Sequence, residues 1–345
     1  MIHYLNRLGL FLLLLATIMW GLSVIAPYYY GNPIYLEKFT YLEDSNGHNL
    51  VFMGSSRTLR QLNPVVVDSV IPEMSQSFNL GAGGTFGLQV LYTAEHLLLN
   101  SKYFPSLEVL VVEIQLPQPI LDINMHTPRS KYFLDQKRYE TGANFIRAYY
   151  PDEIADTYIQ NFRSSRVERI LNIGLVRAQL YSLIPRRGMG HFLGERGDGF
   201  VPLDDELPKR SYVERRAEFV DNLEHYRENF EQIRKNEDMI VPRDVGELYI
   251  QAHLDLITIG ETRDVKVVFA LMPSGFNVQQ NGSRSIFERI PANNRIDVGS
   301  YQKWPWLYDT SNYFDRGHLN EGGANKFSRA LALELRLLMN QKTVN

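Results

Sequence analysis

The 345-residue chain carries 36 Lys and Arg against 39 Asp and Glu, a net charge of -3, and has no basic block dense enough for a phosphate-backbone binder, which argues against nucleic acid as a partner. Its composition, 44% hydrophobic and 22% charged, is that of a folded chain. Cysteine is absent, so disulfides, zinc-thiolate sites and cysteine nucleophiles are excluded together.

The first element is "LGLFLLLLATIMWGLSVIA", Leu8 to Ala26, nineteen residues without a charge and long enough at helical rise to cross a hydrocarbon core. Arg7 precedes it, and no cation follows until Lys38, so the positive-inside bias puts the body outside the cytoplasm, periplasmic or extracellular. Tyr28, Tyr29 and Tyr30 are expected as an aromatic belt. An uncleaved anchor is expected over a cleaved signal peptide, because Pro27 would follow the scissile bond. The organisation expected is an anchor at 1–30 and one domain at 31–345.

Short apolar runs then recur as buried parallel strands: "NLVFMG" from Asn49, "SQSFNLG" from Ser75, "LEVLVVEIQ" from Leu107 and "DVKVVFALMP" from Asp264. A helical pattern, "LQVLYTAEHLLLNSKYF", separates the second from the third, and "GGANKFSRALALELRLLM" closes the chain as another helix. Strand, helix and strand alternate as in an α/β doubly wound parallel sheet. A mainly helical insertion is expected at about 120–246. Within it, "YVERRAEFVDNLEHYRENFEQIRKNED" puts Phe219, Leu223, Tyr226, Phe230 and Ile233 on one stripe of an amphipathic helix, and the segment from Pro185 to Arg210 reads as a long loop.

"GSSRT", Gly54 to Thr58, ends the first strand. One glycine and an arginine do not make a phosphate-binding loop, which needs bracketing glycines and a Lys-Ser/Thr end. A serine nucleophile instead needs a base and an orienting acid. Both occur in "YDTSNYFDRGHLNEGG", where Asp315 and His318 are three residues apart and one turn joins them. Asp309 is nine residues from His318 and reaches it only if the loop folds back. Arg57 is expected to pair with a carboxylate. His96, His126, His191, His225 and His253 are scattered without metal-ligand spacing, so neither metal nor cofactor is expected.

"GSSR" after the first strand, "FNLGAGGTFG" after the second and "DRGHLNEGGA" before the last helix resemble, in order and position, the SGNH/GDSL hydrolases. The resemblance implies a flavodoxin-like three-layer sandwich and a triad of Ser56, His318 and Asp315, the alignment selecting Ser56 over Ser55. It implies an oxyanion hole from the amides of Ser56 and Gly84, with Gly81 as the near alternative. The family's Gly-x-Asn-Asp block is replaced here by "EIQLPQPI" from Glu113, so Gln115 or Gln118 could supply a side-chain amide instead. Membrane-anchored branches, the alginate O-acetylation and D-alanyl transfer proteins, are the nearest in pattern. They imply a serine esterase or O-acyltransferase acting on an acylated glycan or other envelope polymer beside a membrane-bound O-acyltransferase. The other expectation is a non-catalytic envelope protein of the same fold that binds a glycan or an acyltransferase.

Overall fold

The structure is a computed structural model that describes residues 2–43, 47–100, 102–117, 127–184, 191–237, 243–273 and 277–340. It opens with α1 (Ile2–Ile25), whose segment His3–Ile25 is long and apolar enough to cross a membrane and has almost no side chain packed inside the body. Next come α2 (Pro33–Leu42), β1 (Leu50–Met53), α3 (Ser56–Gln61), α4 (Pro64–Val70), β2 (Ser77–Asn79), α5 (Gly87–Leu99) and β3 (Val109–Glu113). The helical middle contributes α6 (Pro128–Lys131), α7 (Gln136–Tyr149), α8 (Asp152–Ile170), α9 (Val176–Ser182), α10 (Arg210–Asp221), α11 (Leu223–Asn236) and α12 (Glu247–Glu261). The chain ends with β4 (Lys266–Leu271), α13 (Asn277–Arg289), β5 (Arg295–Asp297), the pair β6 (Tyr313–Asp315) and β7 (His318–Leu319), and α14 (Glu321–Asn340).

Strands β1 to β5 form one parallel sheet in the order β2-β1-β3-β4-β5. Because successive side chains on a strand point to opposite faces, Val51 and Met53 join one core while Leu50 and Phe52 join the other. Residues of α5, α7 and α12 fill the first core, and those of α4, α10, α11 and α14 fill the second. Burial on both faces explains why the strands read as unbroken apolar runs. The strand order reverses beside β1, and in open sheets of this kind the crevice at the carboxyl end of such strands is where ligands bind.

Three sequence expectations change. Tyr29 and Tyr30 are buried in the body, Tyr29 stacked on Phe39 and hydrogen-bonded to Tyr103, while Tyr28 stacks on His96, so the tyrosines are core and not a membrane belt. The amphipathic segment from Tyr212 is two helices, broken at Asn222, whose backbone leaves the helical region (φ -111°, ψ 25°). Its stripe still packs on the core, with Phe219, Phe230 and Ile233 buried. The strand β5 was not expected, because three residues with one apolar side chain carry too little pattern.

Candidate active site

Gly54 lies between β1 and α3 because nothing larger fits. A Cβ there would come within 2.0 Å of Thr58 Oγ1 and 2.3 Å of Glu113 Oε2. This tight turn brings the first residues of α3 to the carboxyl edge of the sheet. Ser55 caps the helix, its hydroxyl accepting from the Arg57 amide at 3.1 Å, and it is buried. Ser56, one residue on, is half-buried at the first position of α3.

Glu113, the last residue of β3, fixes this turn. Its carboxylate accepts from the Ser55 amide at 2.8 Å, the Ser55 hydroxyl at 3.0 Å, the Thr58 hydroxyl at 2.8 Å and Arg57 Nε at 2.8 Å. Arg57 therefore has the carboxylate partner expected of it. Glu113 itself escaped the sequence reading, although an acidic residue ending an otherwise apolar strand was a legible signal. A buried carboxylate is tolerated only when paired and hydrogen-bonded, and here it commits Ser55 while leaving Ser56 unencumbered.

At the other end of the chain, β6 and β7 form a two-stranded antiparallel pair in which Asp315 and His318 face each other across the turn Arg316-Gly317. The first and last residues of so tight a turn are necessarily close. His318 Nδ1 lies 3.0 Å from Asp315 Oδ1, and His318 Nε2 lies 2.8 Å from Ser56 Oγ. The carboxylate can only accept, so Nδ1 carries the proton and Nε2 presents its lone pair to the serine hydroxyl. Ser56, His318 and Asp315 thus come together as hydroxyl, imidazole and carboxylate in one hydrogen-bonded chain. Asp309 does not join them; it caps the following turn, accepting from the Ser311 amide at 2.9 Å.

The insertion reaches this hairpin. From α10, Arg215 pairs with Asp315 Oδ2, and Arg216 Nη1 donates to the carbonyls of Tyr313 and Phe314 at 2.7 and 2.8 Å. Burial raises the Asp315 carboxyl, but the hydrogen bond and charge of His318, together with Arg215 and the Gly317 amide, outweigh it and hold the group below its usual range. Asp315 is therefore an anion at neutral pH.

The loop after β2 runs beside Ser56. The Gly54 carbonyl accepts from the Ala82 amide at 3.0 Å and the Thr85 hydroxyl at 3.1 Å, and a Cβ on Gly83 would come 3.8 Å from Ser56 Cβ. Gly84 adopts φ +65°, the left-handed region that favours glycine, and a Cβ there would meet Arg129 Nη1 at 3.1 Å. Gly81 is differently employed: its amide donates to Asn79 Oδ1 at 2.9 Å, and its Cα packs against the α3 backbone. Of the two glycines named for the oxyanion, Gly81 thus has its amide committed to Asn79. Gln115 is buried, with its carbonyl taken by Tyr249 Oη at 2.6 Å, while its side-chain amide nitrogen has no partner among the described residues. Gln118 and His126 lie outside the described residues.

Two cations around this loop were not anticipated. Arg129 of α6 donates to the Gly83 carbonyl and covers Gly84, while burial pulls its guanidinium below the usual value. Lys38 of α2 is fully buried and donates to the carbonyls of Asn79, Gly81 and Gly199 at 2.6, 2.9 and 2.9 Å. Three acceptors match the three protons of an ammonium, so α2, the glycine loop and the segment before Phe200 are tied at one point.

The remaining histidines are dispersed. His253 is buried in α12, His191 lies near Glu206 Oε1 at 3.2 Å, and His225 contacts Asn229 Nδ2 at 3.1 Å. Among the described residues no group of three His, Asp or Glu gathers as a metal site. Comparison with models of known protein families gives no match, and comparison with curated proteins gives none either.

Proposed function

We propose that this chain is a membrane-anchored serine esterase or O-acyltransferase of the SGNH/GDSL type, with Ser56 as nucleophile. The observation that carries the reading is the hydrogen-bonded chain from Ser56 Oγ through His318 to Asp315, at 2.8 and 3.0 Å, drawn from opposite ends of the sequence. Hydroxyl, base and orienting acid within hydrogen-bond reach are the requirements for an activated serine. The strand order and the position of Ser56 at the carboxyl edge of β1 support the same reading.

In this mechanism Ser56 Oγ attacks an acyl carbonyl while His318 Nε2 takes the hydroxyl proton. Asp315 holds the imidazole in the required tautomer and stabilises the imidazolium. The developing oxyanion meets the amides of Ser56 and Gly84; the first lies at a helix start, where amides lack intrahelical partners. The carbon–oxygen bond to the leaving alcohol then breaks, the alcohol takes the proton from Nε2, and an acyl-serine remains. Water or an acceptor hydroxyl, deprotonated by His318, releases the acyl group. Hydrolysis and transfer differ only in that acceptor. With α1 as anchor and the body outside the cytoplasm, the substrate would be an acylated glycan or related envelope polymer, and a membrane-bound O-acyltransferase a fitting partner.

A fluorophosphonate probe tests the nucleophile. Wild type and Ser55→Ala should become labelled and Ser56→Ala should not, since Ser55 is already committed to Glu113 and the helix cap. Labelling of Ser56→Ala at the wild-type level would remove the mechanism.

A further inference from the structure

The turn joining α8 to α9 bears an apolar surface for which the body has no use. Between Ile170 and Ile184 the sequence "ILNIGLVRAQLYSLI" has one charge, Arg177, in fifteen residues. Only part of it packs inward: Leu175 and Gln179 are buried, whereas Ile170 is 62%, Leu171 55%, Ile173 49%, Leu180 48% and Ile184 61% exposed. Solvent-facing branched aliphatics at this density mark a contact with something apolar.

What covers them is indicated by their neighbour. Asn172 sits in the left-handed region (φ 56°), and its Nδ2 donates at 3.0 Å to the carbonyl of Met19, inside α1. Packing between α1 and α9 continues the contact, and Met19, Gly21 and Leu22 are half-buried there. Six residues separate Met19 from Ile25, the last of the span, so at helical rise the contact lies ~9 Å inside the end of α1. The span itself, at 23 residues, is ~34 Å long against about 30 Å of hydrocarbon. When α1 crosses a bilayer, a segment joined to it at Met19 cannot stay in water.

We propose that the α8–α9 turn and α9 form a second membrane contact, which enters the leaflet on the side of the globular body with Ile170, Leu171, Ile173, Leu180, Leu183 and Ile184 in lipid. This rests on α1 being the membrane anchor. Amphipathic elements of this kind bury their apolar face roughly 5–10 Å into the interface, which matches the depth set by Met19. The turn is also wired to the site: Lys131 Nζ donates to the Ile173 carbonyl at 3.2 Å and pairs with Glu168 at 2.7 Å. Lys131 belongs to the same short helix as Arg129, which covers Gly84. The bilayer thereby fixes the orientation of the body, which one helix alone would leave free to rotate.

Because the chain has no cysteine, single cysteines can carry spin labels in the full-length protein reconstituted into phosphatidylcholine/phosphatidylglycerol vesicles. Labels at Ile173→Cys and Leu183→Cys should collide more with lipid-soluble oxygen than with a water-soluble nickel chelate, as should Leu12→Cys in the span. Val213→Cys, exposed on α10, should show the reverse. Aqueous behaviour at 173 and 183 with lipid behaviour at 12 would overturn the second contact alone, and aqueous behaviour at 12 would overturn the anchor with it. Exclusion of both reagents at 173 and 183 would assign the face to a second copy of the chain, which also overturns the proposal.

Discussion

Asp315 and Asp309 are both acidic residues ahead of His318, and only one of them lies on it. Asp315 faces the imidazole at 3.0 Å, while Asp309 spends its carboxylate on the Ser311 amide. An amide in place of the orienting acid can cost about ten-thousandfold in a serine protease. We expect Asp315→Asn to lower acyl-ester turnover at neutral pH by at least about a hundredfold and Asp309→Asn by less than about tenfold, measured on variants shown by thermal melts to be folded. The reverse ranking would move the acid to Asp309. The spacing from Asp315 to His318 was legible because a three-residue separation is a local fact, set by one turn. The partners of Glu113 were not, because its four contacts are made with residues more than fifty positions away. Only the sheet register brings them together.

The elements were legible in proportion to their length. β1, β3 and β4 each announce themselves as apolar runs, whereas β5 has a single buried side chain, Ile296, and is a strand only because β4 offers it hydrogen bonds. The stripe along α10 and α11 was correct in its residues and mistaken in its continuity. Asn222 ends α10, and the break lets Arg215 and Arg216 reach the hairpin while Phe230 and Ile233 still pack on the core. In α12 the pattern hides a titration. His253 is fully buried with its Nδ1–H donated to the Tyr249 carbonyl at 2.8 Å, and burial, partly offset by that bond, pushes the imidazole down to about 4. Its pKa is depressed on folding, so the unfolded chain binds the proton first as pH falls below about 6.5. Stability is therefore lost through that interval, and the loss levels off below the folded value. Between pH 7 and pH 5 this group alone should cost about 2 kcal/mol. Urea unfolding of the detergent-solubilised protein should show His253→Leu gaining on wild type by that amount over the same interval. A pH-independent difference would mean that the buried imidazole binds its proton as readily as a free one.

At the scale of the whole molecule, the charge asymmetry around α1 is the basis for proposing that the body lies outside the cytoplasm. Protease added to intact spheroplasts should digest it, and full protection with an active protease would place it on the cytoplasmic side. The doubly wound class could be read from the alternation of runs, since it depends on local pattern alone. How the insertion clasps the Asp315–His318 hairpin could not, because it depends on side chains converging from helices that the sequence describes only one at a time. The junction between membrane and body carries one more consequence. Tyr29 and Tyr30 enter the core directly after Pro27, and Lys38 a few residues later is bound to the glycine loop beside Ser56. No slack chain separates α1 from the site, so on the proposed anchoring the serine would work at one altitude above the bilayer. It would then behave less like a tethered enzyme searching a volume than like a stylus confined to a plane. On the proposed function, an ester carried on a polymer would be read only where its strand passes through that plane.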